Sequence, residues 1–128
     1  MTEHTPFQEC GSCREAWDRW QDFVADPEVR LLGFQGSDRF PDTNLLVFEH
    51  RCGSSISVLA KRLRHILPED EQKRQLPVLF ASEHCNQYCR TIENLKACDR
   101  ACVNARDRKL ILRILEMKKP AWQRNTED

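Results

Sequence analysis

The chain carries no excess of either charge: its 20 lysines and arginines are balanced by 20 aspartates and glutamates. That argues against a protein built mainly to coat nucleic acid or an anionic membrane, although a local basic patch stays open. No run approaches the roughly 18 consecutive apolar residues that span a bilayer. The opening Met1-Thr2-Glu3-His4-Thr5-Pro6 has no basic stretch followed by an apolar one. No signal peptide is visible there, and the cytoplasm is the expected compartment. There is no repeat of 20 to 50 residues and no low-complexity tract. No Ser-His-Asp set, glycine-rich phosphate loop or paired-carboxylate site stands out. A catalytic role is therefore not evident.

What the chain has in quantity is cysteine, seven in 128 residues. A domain of this length buries a useful core unaided, so it needs no covalent staples to fold. Cytosolic thiols are kept reduced. Cysteines in that setting point to metal binding or redox chemistry rather than to structural disulfides. An oxidising compartment reverses this inference.

The sequence divides into residues 1–67 and 75–119, joined by the polar stretch Pro68-Glu69-Asp70-Glu71-Gln72-Lys73-Arg74. The two halves are expected to form one compact α+β domain. In the first, Trp17, Trp20 and Phe23 or Val24 recur at helical spacing and predict a helix over 14–25, stopped by Asp26-Pro27. Residues 29–35 and 44–50 read as antiparallel strands, with turn signals at Gly36-Ser37-Asp38 and Pro41-Asp42 between them. A serine of Ser54-Ser55 is expected to cap a helix to Leu67, with Ile56, Leu59 or Ala60, Leu63 and Ile66 or Leu67 buried. In the second half, Leu76-Pro77-Val78-Leu79-Phe80 is at best an edge strand because of its proline. Ser82 suits the N-cap of a helix to Glu93, and a long helix over 95–118 ends before Pro120. The tail from Ala121 is expected to fray.

The first ligand pair is Cys10-Gly11-Ser12-Cys13. Two cysteines at this spacing place both thiolates on one tetrahedral ion, because the loop between them turns around the metal. The same four residues ahead of a helix look like a thioredoxin-type redox site, but such a fold needs a buried strand before the motif, and only nine mostly polar residues precede Cys10. The second pair is His50-x-Cys52. On a strand, residues two apart share a face, so His50 and Cys52 point together while Leu46 and Phe48 continue that face inward. Gly53 leaves room for backbone amides to approach the sulfur, as in zinc knuckles. The plain alternative is a strand histidine and a core thiol. A Cys52 nucleophile with His50 as base is a third reading. A phosphatase-type loop is excluded, because Val58 stands where its arginine belongs. Together, Cys10, Cys13, His50 and Cys52 give three cysteines and one histidine in the order knuckle, helix, hairpin, second pair. That order resembles a zinc ribbon with an inserted helix, over about the first 55 residues. A zinc ribbon usually carries Cys-x-x-Cys in the second position too.

The remaining four cysteines form a twin Cys-x-x-x-Cys: Cys85, Cys89, Cys98 and Cys102. Residues i and i+4 share a helical face, so two antiparallel helices would set Cys89 opposite Cys98 and Cys85 opposite Cys102. Four thiolates there suit zinc, a cuprous ion or an iron–sulfur cluster. Two disulfides stapling the hairpin are the alternative. In pattern only, the segment resembles the twin Cys-x-x-x-Cys proteins of the mitochondrial intermembrane space. Seven cysteines plus His50 make eight ligands, which is two four-coordinate zinc sites. Their net charges would be about −1 and −2. Arg14 and Arg51 adjoin the first set, and Arg90, Lys96 and Arg100 the second.

His84 is a weaker ligand candidate, since on a helix it points away from Cys85. His4 and His65 are expected at the surface. Lys61-Arg62-Leu63-Arg64-His65, with Lys118, Lys119 and Arg124, offers a basic face that nucleic acid would recognise, or simply a solvated one. The function expected from the sequence is a zinc-binding structural or regulatory module whose partner is another protein. The rivals are a thiol redox protein, an iron–sulfur carrier or sensor, and a metal-delivery protein.

Overall fold

A computed structural model describes residues 5–37, 39–80, 82–83 and 85–118. His4, His84, the turn residue Asp38, and Lys119, Pro120, Arg124 and the rest of the tail lie outside the described residues. The chain is α+β, with two small antiparallel sheets and three α-helices among the described residues. No described helix is long and apolar enough to cross a membrane.

The larger sheet has the order β3 (Val29–Gln35), β4 (Leu45–His50), β5 (Ser55–Leu59), all antiparallel. Strands β3 and β4 match the sequence expectation. β4 alternates cleanly, with Leu46, Phe48 and His50 inward. In β3 the inward phase changes partway. A bulge between Leu31 and Gly33 turns Val29 and Leu31, and then Phe34, to the core.

β5 corrects the sequence reading, which placed a helix from Ser54 or Ser55 to Leu67. Ile56, Val58 and Ala60 are the buried positions, a period of two rather than 3.6. The stretch Ser-Ile-Ser-Val-Leu is β-branched at the inward sites, and β4 offers it a hydrogen-bonded partner. Two short 3₁₀ turns follow, Ala60–Arg62 and Arg64–Ile66, which bury Ala60 and Leu63.

The helix expected over 14–25 is only α1, Trp20–Ala25. The residues before it are drawn into a second sheet, where β1 (Gln8–Glu9) pairs with β2 (Ala16–Trp17). Phe23 and Val24 of α1 are fully buried. Part of the expected linker forms α2, Glu69–Lys73.

The C-terminal helix α3 spans Val103–Lys118 and sends Leu110, Ile111 and Ile114 into the same core as Phe34, Leu46 and Phe48. A buried polar joint adds direction to this apolar contact. Asn44 donates to Asn104 Oδ1 at 2.7 Å and to Asp107 Oδ2 at 2.9 Å. Arg64 closes on both Asp107 oxygens at 2.8 Å. Each buried polar group thereby has a partner, without which its burial would be costly.

The expected antiparallel helical hairpin is not formed among the described residues. Between α2 and α3 the one regular element is a 3₁₀ turn, Tyr88–Arg90, and 76–80 is not a strand. Helical pairing there is pre-empted. The carbonyl of Ile92 accepts from the Phe34 amide at 2.9 Å, docking this segment on the open edge of β3. The carbonyls of Asn94 and Lys96 accept from the Arg108 guanidinium, each at 2.6 Å. Gly33 permits the docking, since a Cβ there would collide with the Ile92 carbonyl.

Candidate metal centre

Two tight turns face each other at one end of the molecule. The first connects β1 to β2 and carries Cys10 and Cys13. The Cys10 amide donates to the Glu15 carbonyl at 2.8 Å, and the Arg14 amide returns to the Cys10 carbonyl at 3.0 Å. The second connects β4 to β5 and carries His50 and Cys52. The His50 amide donates to the Ser54 carbonyl at 2.9 Å and the Gly53 amide to the His50 carbonyl at 2.8 Å. In both, the residue just after the second ligand is left-handed: Arg14 at φ 69° and Gly53 at φ 90°. That conformation reverses the chain right after each sulfur. Glycine adopts it freely, whereas arginine does so at a cost.

The turns bring Cys10, Cys13, His50 and Cys52 together, with every donor atom within 4.8 Å of the others. A zinc ion with sulfur at about 2.3 Å and nitrogen at about 2.0–2.1 Å sets tetrahedral edges of about 3.8 Å for S···S and about 3.6 Å for S···N. The Cys10 and Cys52 sulfurs are 3.6 Å apart. His50 Nδ1 is 3.5 Å from the Cys13 sulfur and 3.4 Å from that of Cys52. These separations fit one tetrahedral ion. Cys10 and His50 are buried, while Cys13 and Cys52 face outward.

The ring of His50 is fixed from behind. Its Nε2 lies 3.1 Å from Glu15 Oε1, and Arg51 approaches the same oxygen at 3.5 Å. With Nδ1 turned to the sulfurs, Nε2 is the nitrogen that carries the proton, and the Glu15 carboxylate stands beside it as an ion-pair neighbour, out of line for a hydrogen bond. Trp17 stands edge-on to the imidazole, with centroids 5.2 Å apart, and Phe23 stands edge-on to both Trp17 and Phe48. An aromatic column thus runs from the site into the core. At the far end of the β1–β2 hairpin, Arg62 lies over the Phe7 ring and donates to the Phe7 carbonyl and to Gln8.

The protonation pattern reflects crowding of the sulfurs. The backbone of Cys13, the Ser54 hydroxyl and the backbone of Ser12 hold Cys10 down at about 5, against an ordinary 9.0. The hydroxyl and backbone of Ser54, then His50, lower Cys52 as well. The Ser54 hydroxyl is 3.2 Å from one sulfur and 3.0 Å from the other. For Cys13 the Glu15 backbone also pulls downward, but burial and the neighbouring sulfurs of Cys10 and Cys52 outweigh it, and its pKa is raised. Burial works to lower His50, and the sulfurs of Cys52 and Cys10 more than offset it. Negative charge gathers at the centre and one sulfur is pushed back toward the thiol. A dication there removes the conflict, because it stabilises all three thiolates at once.

Two neighbours of the site escape a reading of the sequence. Glu15 falls inside the expected helix, and Ser54 is read as a helix cap. The signal for Glu15 was its place two residues after Cys13, where a hairpin returns it beside the second turn. Arg14 pairs weakly with Glu9 at 3.8 Å, and Arg51 with Glu15, so neither arginine touches a sulfur among these contacts. The helix that a thioredoxin-type site requires does not follow Cys13, because β2 takes its place.

The other four cysteines are free thiols, as are the first three, and they line one small cavity. Their sulfurs do not form a set within 4.8 Å of one another. The expected basic face does not form as a helix either. Arg64 is paired with Asp107, Arg62 bonds at the surface to Phe7 and Gln8, and His65 stands edge-on to Trp20 at 5.0 Å. No family model matches the chain, and neither do curated protein sequences or solved structures.

Proposed function

We propose that Cys10, Cys13, His50 and Cys52 hold one zinc ion as a closed structural site, and that the chain works as a zinc-organised interaction module. The observation that carries this is the match between the donor separations and the edges of a single tetrahedron. Four protein donors leave no open coordination position, which is the mark of a structural rather than a catalytic zinc. The two turns belong to different sheets. One ion therefore joins the two-residue strands of the β1–β2 hairpin to the three-stranded sheet, and a hairpin that short does not hold alone. The layout, one knuckle on each of two turns, is the part of the zinc-ribbon resemblance that this reading keeps.

The partner in this reading is a protein in the cytoplasm. The balanced charge gives nucleic acid no general attraction, and Arg64 is already spent on Asp107. Leu112 and Leu115 leave apolar side chains on the outer face of α3, 53% and 36% exposed. The test is metal content by mass spectrometry on protein purified reduced and anaerobically, with free thiols counted in parallel. Zinc is expected in the native chain, with one equivalent lost in Cys10→Ser/Cys52→Ser. A chain free of zinc with a Cys10–Cys13 disulfide overturns the reading.

A further inference from the structure

A buried positive charge in the other half of the molecule has no carboxylate partner among the described residues. Arg108 of α3 is fully buried. Among the described residues the oxygens its guanidinium bonds to are all neutral, the carbonyls of Asn94 and Lys96 and the Asn94 side chain. It lies over the rings of Phe34 and Tyr88, at 5.5 and 5.8 Å. A charge taken out of water calls for an opposite charge nearby. The nearest candidate is sulfur: Arg108 Nη1 points at Cys89 Sγ from 3.9 Å.

Cys89 is one of four cysteines around a single cavity of about 10 Å³, whose wall also includes apolar Leu79 and Phe80 and polar Asn86, Arg100 and Asn104. That is room for about one water-sized body. Each of the four sulfurs has an N–H aimed at it. The Leu79 amide is 3.2 Å from Cys102 Sγ, and the Gln87 amide is 3.2 Å from Cys85 Sγ. Asn86 Nδ2 is 3.4 Å from Cys98 Sγ, and Arg108 serves Cys89. Gln87 takes a left-handed φ of 68° in presenting its amide. A neutral thiol is a weak acceptor, whereas a thiolate gains from each such donor. Burial raises the Cys89 thiol, and the charge and hydrogen bond of Arg108 act against that rise.

We propose that Cys85, Cys89, Cys98 and Cys102 form a second metal centre that takes one thiophilic divalent ion of the zinc class, with Arg108 as its buried counter-charge. Binding releases four protons, one from each thiol, and the electron pairs left on sulfur make the four metal–sulfur bonds. The product carries a net charge of about −2. Arg108 offsets part of it from inside the protein. Because the sulfurs are spread wider than a tetrahedron allows, binding draws them inward by on the order of an ångström. The segment has little regular backbone to resist that movement.

The test uses the full reduced chain and native mass spectrometry with zinc alone. The expected result is two zinc ions in the native chain and one in Cys89→Ser/Cys98→Ser. Cys10→Ser/Cys52→Ser separates this proposal from the first site: it is expected to keep one ion, bound by the second set. Cobalt substitution guards against variants that fail to fold, since four-thiolate and three-thiolate sites give different visible spectra in the native chain. Arg108→Met is expected to weaken the second ion about tenfold or more, with the first ion unchanged. A native chain that takes up only one zinc, and keeps it in Cys89→Ser/Cys98→Ser, overturns the proposal. So does iron with sulfide, or a pair of disulfides among the four cysteines.

Discussion

Cys10, Cys13, His50 and Cys52 sit on two turns whose flanking strands are hydrogen-bonded and backed by Trp17, Phe23 and Phe48. Cys85, Cys89, Cys98 and Cys102 sit on a segment whose one regular element before α3, among the described residues, is a 3₁₀ turn, held down by Ile92 on β3 and by Arg108. The donor separations seen in the first set match tetrahedral edges, whereas the four sulfurs of the second line a cavity and form no set within 4.8 Å of one another. Short-range backbone geometry fixes a ligand set when each pair lies on one hairpin turn. When the ligands lie on irregular chain, what positions them is long-range contact and the ion itself. Preorganised donors lose less freedom on binding, so the two sets should respond differently to damage.

The largest effect is expected at the preorganised set. Cys10→Ser/Cys52→Ser should detach the β1–β2 hairpin and cost several kcal/mol, within the roughly 10 kcal/mol that structural zinc supplies to small modules. Hydrogen exchange at the Cys10 and Phe7 amides should then become fast while β3 and β4 stay protected. Equal loss across both sheets would erase the contrast between a local clasp and the core. Next comes Glu15→Gln, which keeps the size of the side chain but removes the negative charge 3.1 Å from His50 Nε2. It should weaken zinc at the first site 10- to 100-fold in a chelator competition. An unchanged affinity would mean that Glu15 does not orient the ring.

The docking of the second segment is tested by Gly33→Ala, where the added methyl meets the Ile92 carbonyl. A loss of about 1–3 kcal/mol is expected, with faster exchange at the Phe34 amide. A neutral result would show that the segment is not anchored on β3. The smallest effect is expected at Arg14→Gly. Relief of the left-handed strain, less the entropy cost of glycine, should raise stability by about 0.5 kcal/mol in thermal unfolding. A loss of stability would show that the Arg14 side chain contributes more than its strained backbone costs.

Strands β3 and β4 were legible because alternation and turn residues agree there, and so was the inward run of Leu46, Phe48 and His50. The grouping of Cys10 and Cys13 with His50 and Cys52 was legible for the same reason, since one pair needs only a loop and the other only a pleat. The helix expected from Ser54 failed because Ile56, Leu63 and Leu67 satisfy helical spacing as well as Ile56, Val58 and Ala60 satisfy a strand. The free edge of β4 decided between them. The helix over 14–25 failed because its first residues are claimed by Gln8 and Glu9 across a hairpin, a pairing invisible in local spacing. The twin Cys-x-x-x-Cys failed as a helical hairpin because its carbonyls at Ile92, Asn94 and Lys96 are bonded elsewhere. Residues far away in sequence, Phe34 and Arg108, made that choice.

Trp17 has a consequence of another kind. Its indole lies edge-on to His50 at 85°, against one of the four proposed ligands. Trp20 faces His65 instead. A chain with Phe at positions 20 and 122 would therefore keep a single fluorophore beside the imidazole. Its emission would register ion uptake and release in real time, with no dye attached, making the protein its own optical reporter.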